Sequence, residues 1–71
     1  MGLLKEGANL KLTPREREIL QELARGKRTP EIGRDLFISE STVYRHYDNI
    51  KAKLGISGIN RLIVYAIRKF S

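Results

Sequence analysis

Between Ser41 and Lys53 the chain gathers side chains able to hydrogen-bond bases and phosphates, and none suited to covalent chemistry. Ser41, Thr42, Tyr44, Arg45, Asp48 and Asn49 follow one another closely. On a helix, Ser41, Tyr44, Arg45 and Asp48 share the outward face, with Asn49 on its flank. An arginine can bond guanine through two N–H groups, and hydroxyls and amides can bond base edges or phosphates. A tyrosine ring can meet a thymine methyl, and an aspartate can accept from cytosine or orient a neighbouring arginine. Arg45 points directly away from Val43 and Ile50 and is the expected principal reader, with Ser41, Thr42 and Asn49 fixing register. Lys51 and Lys53 add two cations suited to phosphates, and Thr29 adds a hydroxyl at an earlier helix start. A merely solvated polar face is the plainer reading, and the neighbouring elements must decide between the two.

Other chemistry has little to work with. His46 is the only histidine and there is no cysteine, whereas zinc normally takes three or four protein ligands. No metal and no cofactor is expected, and His46 is assigned a structural place, half-buried against helix one. Glu16 beside Arg15 or Arg17 resembles a charged pair, but a helix-capping role already accounts for the carboxylate. No phosphate-binding glycine loop, paired carboxylates or nucleophile with a base can be assembled, so no enzyme is expected.

The 71 residues suffice for one small domain with a modest core. A net charge of +6 favours a polyanionic partner. The charge is uneven: residues 1–40 carry eight basic and seven acidic side chains, residues 41–71 six basic and only Asp48 acidic. The partner therefore meets the C-terminal half. No apolar run reaches the roughly 20 residues of a membrane helix and no secretory signal is visible, which sets the expectation of a cytoplasmic protein without a membrane partner.

Four helices must position these groups. Residues 1–11 show no sustained period and read as an arm or linker remnant, leaving residues 12–71 as the domain. Thr13, Pro14 and Glu16 form a capping box that starts helix one, whose buried positions are Ile19, Leu20, Leu23 and Ala24, and Gly26 ends it after Arg25. Thr29 as cap and Pro30 as first residue start a short helix two, with Ile32 and Leu36 inward and Glu31 near the positive end. Gly33 inside it costs ~1 kcal/mol relative to alanine, which points to a close crossing. Ser39 caps helix three, where Val43, Tyr47, Ile50 and Leu54 form the inward stripe and Gly55 the stop; Ile38 can pack on Val43. Helix four follows Ser57 and Gly58, with Ile59, Leu62, Ile63, Ala66, Ile67 and Phe70 as its buried face. The expected fold is all-α.

A short helix, a tight turn and a capped, groove-sized helix in succession resemble the helix-turn-helix domain of LuxR type, also called GerE-like. The likeness rests on LTPREREIL from Leu12 to Leu20, EIGRDLFISESTVYRH from Glu31 to His46 and NIKAKLGIS from Asn49 to Ser57. It implies a four-helix domain with the second helix as scaffold, the third as recognition helix in the major groove of double-stranded DNA, and the fourth as a common dimer contact. The implied function is transcriptional regulation. The chain departs from the family pattern in having Tyr44 where lysine is usual and Asp48 where a basic or polar residue is usual. Ile59 stands in place of an arginine whose backbone contact could shift to Arg61, and Leu62 in place of a small residue.

Opposite the buried face of helix four lie Arg61, Val64, Tyr65 and Arg68, an apolar pair between two cations. With the family likeness they predict a weak homodimer, and RNA polymerase is a further partner to expect. Two other readings stay open: a protein-interaction module that kept the fold and lost DNA affinity, and a promoter-binding region of sigma-factor type. The latter shares a REREIL-like start, but the strongly amphipathic helix four is not expected in it.

Overall fold

The computed structural model describes residues 11–70, and the arm assigned to residues 1–11 lies outside it apart from Lys11. Four helices follow in order, α1 (Pro14–Ala24), α2 (Thr29–Leu36), α3 (Glu40–Leu54) and α4 (Ile59–Phe70). No strand occurs among the described residues. No helix among them is long and apolar enough to cross a membrane.

The start of α1 is a complete capping box. The Glu16 N–H donates to the Thr13 hydroxyl at 3.1 Å, and the Thr13 N–H donates to the Glu16 carboxylate at 2.9 Å. The chain then leaves α1 through Arg25, and Gly26 takes a left-handed φ of 85°. Helix α2 starts one residue earlier than its sequence signals suggest. Arg28 is the cap and Thr29 already helical, because the Arg28 N–H is taken by the Glu31 carboxylate at 2.9 Å and leaves Thr29 no capping role. Lys27 bridges the two helices, donating to Glu22 and to Asp35 at 2.6 Å each.

The passage from α2 to α3 is the tightest in the fold. A Cβ on Gly33 would sit 2.8 Å from the Ile38 carbonyl oxygen, so only glycine lets the backbone of the turn pass so closely. The obstacle is that turn, not the side of another helix. Phe37 ends α2 in a left-handed conformation with φ 59° and ψ 43°, its ring 93% exposed. Ser39 then caps α3 by accepting from the Thr42 N–H at 3.1 Å.

The core forms where one stripe from each helix meets the others. Ile19, Leu20 and Leu23 of α1 and Ile32 of α2 close on Val43, Tyr47 and Ile50 of α3 and on Leu62 and Ala66 of α4. Leu62, larger than the residue usual in the family likeness, is fully buried and so serves as core filler. The contact surface of α4 is narrower than its apolar pattern. Only Leu62 and Ala66 are buried, with Ile63 and Phe70 half-buried. Ile59 and Ile67, expected inside, are 41% and 45% exposed. Ile59, the first residue of the helix, borders an open hollow beside Leu23 and Tyr47 instead of filling the core. Tyr65, expected outside between the cations, is instead half-buried against the core.

Candidate nucleic-acid interface

Helix α3 buries Val43, Tyr47 and Ile50 and leaves Ser41, Tyr44, Arg45, Asp48 and Asn49 exposed. One stripe thus anchors a 15-residue helix while the opposite one is free to enter a groove. The hydroxyl cluster at its start is already ordered. Ser39 Oγ donates to Thr42 Oγ1 at 2.9 Å and lies 3.1 Å from Ser41 Oγ. The Thr42 hydroxyl therefore keeps its own hydrogen to give outward.

Two aromatic side chains couple this surface to the scaffold. The Tyr44 ring stands edge-on to Tyr47, with centroids 5.6 Å apart and planes at 88°, a favourable arrangement for two rings. Burial raises the Tyr47 phenol above its ordinary range, an effect opposed by its hydrogen bond to Thr29. That bond, 2.9 Å between the two hydroxyl oxygens, ties α3 to the first residue of α2. Thr29 is thus half-buried and satisfies a core phenol before it can meet any partner.

The two lysines of α3 differ in surroundings. Lys51 stays near the exposed Asp48, with Nζ 3.5 Å from Oδ1. Lys53 turns the other way and donates to the Glu16 carboxylate at 2.7 Å and to the Lys11 carbonyl oxygen at 3.4 Å. Glu16 is only 3% exposed. Burial alone pushes its carboxyl up, but Lys53 and the Thr13 N–H outweigh that and hold it below the usual carboxylate range. Sequence reasoning found the cap and missed its second partner, since a contact across 37 positions leaves no local pattern.

His46 is half-buried beside this network, and its Nδ1 is enclosed without a hydrogen-bond partner. Among the described residues no three His, Cys, Asp or Glu side chains gather as a metal site. An open hollow of about 370 Å³ lies between the α1–α2 turn, Tyr47, Ile59 and Ile63.

Comparison with known proteins agrees with this geometry. The family described as bacterial regulatory proteins, luxR family, matches residues 10–66. The spore germination protein GerE of Bacillus subtilis is 46% identical over 57 residues, covering 80% of this chain and 77% of GerE. The transcriptional regulatory protein LiaR of Bacillus subtilis is 49% identical over 80% of this chain. The transcriptional regulatory protein MctR of Rhizobium johnstonii is 42% identical over 94% of it. The chain spans only 27% of LiaR and 31% of MctR. No solved structure matches the sequence.

Proposed function

From the premise that this chain belongs to the luxR family of bacterial regulatory proteins, and is a DNA-binding module of transcriptional regulation, we propose how it holds its site. Helix α3 enters the major groove and Arg45 reads a guanine, while Ser41, Thr42 and Asn49 fix register on phosphates or base edges. Tyr44, steadied by Tyr47, packs on a sugar or thymine methyl, and Asp48 accepts from cytosine or orients Arg45. Lys51 supplies charge to the backbone. Lys53 and Thr29 support these contacts from behind, since their polar ends are held by Glu16 and Tyr47. The observation that carries this reading is the division of α3 into a buried stripe and an exposed, hydrogen-bonding one.

Selection of bound duplexes from a random pool, followed by salt titration of the winner, tests it. With Lys51 and one to three further cations on phosphates, log affinity should fall with log salt at a slope of about −2 to −4 per monomer. An affinity indifferent to salt, or a pool that never enriches, overturns the reading.

A weak homodimer through α4 forms the second part of the proposal. Its support is Val64, 48% exposed beside the exposed Arg61 and Arg68 on the side of α4 away from the buried Leu62 and Ala66. RNA polymerase as a partner and the cytoplasm as location are carried as proposals from the family's role.

A further inference from the structure

On α3, Thr42, His46, Asn49 and Lys53 recur at spacings of four, three and four, so they line one flank of the helix. The flank is closed at its C-terminal end by the Lys53–Glu16 ion pair. Farther toward the N-terminus Asn49 is exposed and Thr42 half-exposed, and His46 lies between them. His46 Nδ1 is enclosed and unpartnered while the residue as a whole stays half-exposed, so its accessible part lies away from Nδ1.

An imidazole with one N–H must place it on one nitrogen or the other, and surroundings choose. A buried N–H without an acceptor is among the rarest features of native proteins, and a buried lone pair is tolerated more readily. The enclosed Nδ1 therefore carries the lone pair, and the hydrogen sits on Nε2. Adjacent residues on a helix point about 100° apart, so His46 faces the edge of the groove when Arg45 faces its floor. Phosphates line that edge and take most polar contacts to DNA.

Resting on the DNA-binding reading above, we propose that His46 is a backbone-contacting residue whose Nε2–H donates to a phosphate oxygen at the groove edge. In this tautomer the ring carries no charge, so the contact releases no counterion. It helps hold register without steepening the salt dependence. The enclosed Nδ1 gives the ring one permitted orientation, so the donor is aimed before DNA arrives.

Three measurements on the whole chain test this: thermal unfolding, affinity for a labelled duplex enriched from a random pool, and affinity for the unselected pool. His46→Phe keeps a ring and removes both nitrogens. It should unfold at the same or a higher temperature, because the unpartnered atom is gone. It should bind both duplex samples about 3- to 10-fold more weakly, with an unchanged salt slope. His46→Gln, whose amide N–H can reach the position of Nε2, should bind within about 2-fold of the wild type. Undiminished binding by His46→Phe overturns the proposal, as does a loss shared by His46→Gln and matched by lower unfolding temperatures in both. If the wild-type chain binds no duplex, the DNA reading itself falls and this contact falls with it. Failure confined to the His46 variants leaves that reading standing.

Discussion

At the scale of single residues, Arg45 and Glu16 separate the proposed recognition from support of the fold. Arg45 is exposed and forms no hydrogen bond or ion pair among the described residues, so Arg45→Ala should leave thermal stability nearly unchanged. A bidentate guanine contact is worth ~1–3 kcal/mol, so the variant should lose about tenfold or more in specific affinity and its preference at one base pair of each half-site. Repeating the pool selection with the variant measures this. Equal loss on specific and random duplexes would assign Arg45 to phosphate and move reading to Ser41 or Asp48. Glu16 presents the opposite case. Its carboxyl is stronger as an acid in the fold than in the unfolded chain, so the stability it contributes is complete above the ordinary carboxylate range. That contribution is lost as pH falls through the folded value. Glu16→Gln keeps an amide oxygen for the Thr13 N–H and removes the charge, so it should destabilise the domain by about 1 kcal/mol near neutrality through the lost ion pair with Lys53. The gap between variant and wild type should narrow in denaturation curves taken toward pH 3, and a constant gap would remove the ion pair from the explanation.

Among the elements, the α2–α3 turn sets the angle of the recognition helix through two residues of opposite character. Gly33 is irreplaceable because the obstacle is backbone, which cannot swing aside as a side-chain end can. Gly33→Ala should cost about 1–3 kcal/mol and weaken DNA binding beyond that, since relief of the clash must tilt α3. Phe37 is replaceable. An L-residue in the left-handed region bears roughly 1–2 kcal/mol, and a ring so exposed recovers none of it by burial. Phe37→Gly should accordingly raise stability by about 1 kcal/mol, read as a higher unfolding temperature, unless glycine's added freedom in the unfolded chain cancels it. A fall in stability would show that the ring packs on something in the free protein.

For the whole molecule, the proposed homodimer is tested through α4. Val64 lies opposite the buried Leu62 and Ala66 of α4, so a second copy can cover it without disturbing the core. Two-fold pairing there would place recognition helices on half-sites about 10 base pairs apart. Val64→Asp should keep the monomer folded, because the position is already half in water, while weakening self-association in sedimentation and affinity for a paired site more than for a single one. Unchanged sedimentation together with unchanged paired-site affinity would exclude α4 as the contact.

Much of the fold was legible locally because helix starts and stops are short-range chemistry. Thr13 with Glu16, Ser39 before α3, and Gly26 and Gly55 after their helices mark boundaries through hydrogen bonds and left-handed turns that span four residues or fewer. The exposed face of α3 was legible too, since the 3.6-residue period separates Arg45 from Val43 and Ile50 without knowledge of the neighbours. Other features depend on which surfaces meet. Periodicity marked the whole apolar side of α4, but α1 covers only the stripe of Leu62 and Ala66 and leaves Ile59 and Ile67 in water while Tyr65 turns inward. Lys53, a free cation in sequence, is bound to Glu16, and Thr29 is bound to Tyr47 across 18 positions. The sequence by itself determined the helices and the side chains each displays, because capping and periodicity act within a few residues. Only the tertiary structure decided which polar groups remain free for a partner, because that depends on contacts made by residues far apart along the chain.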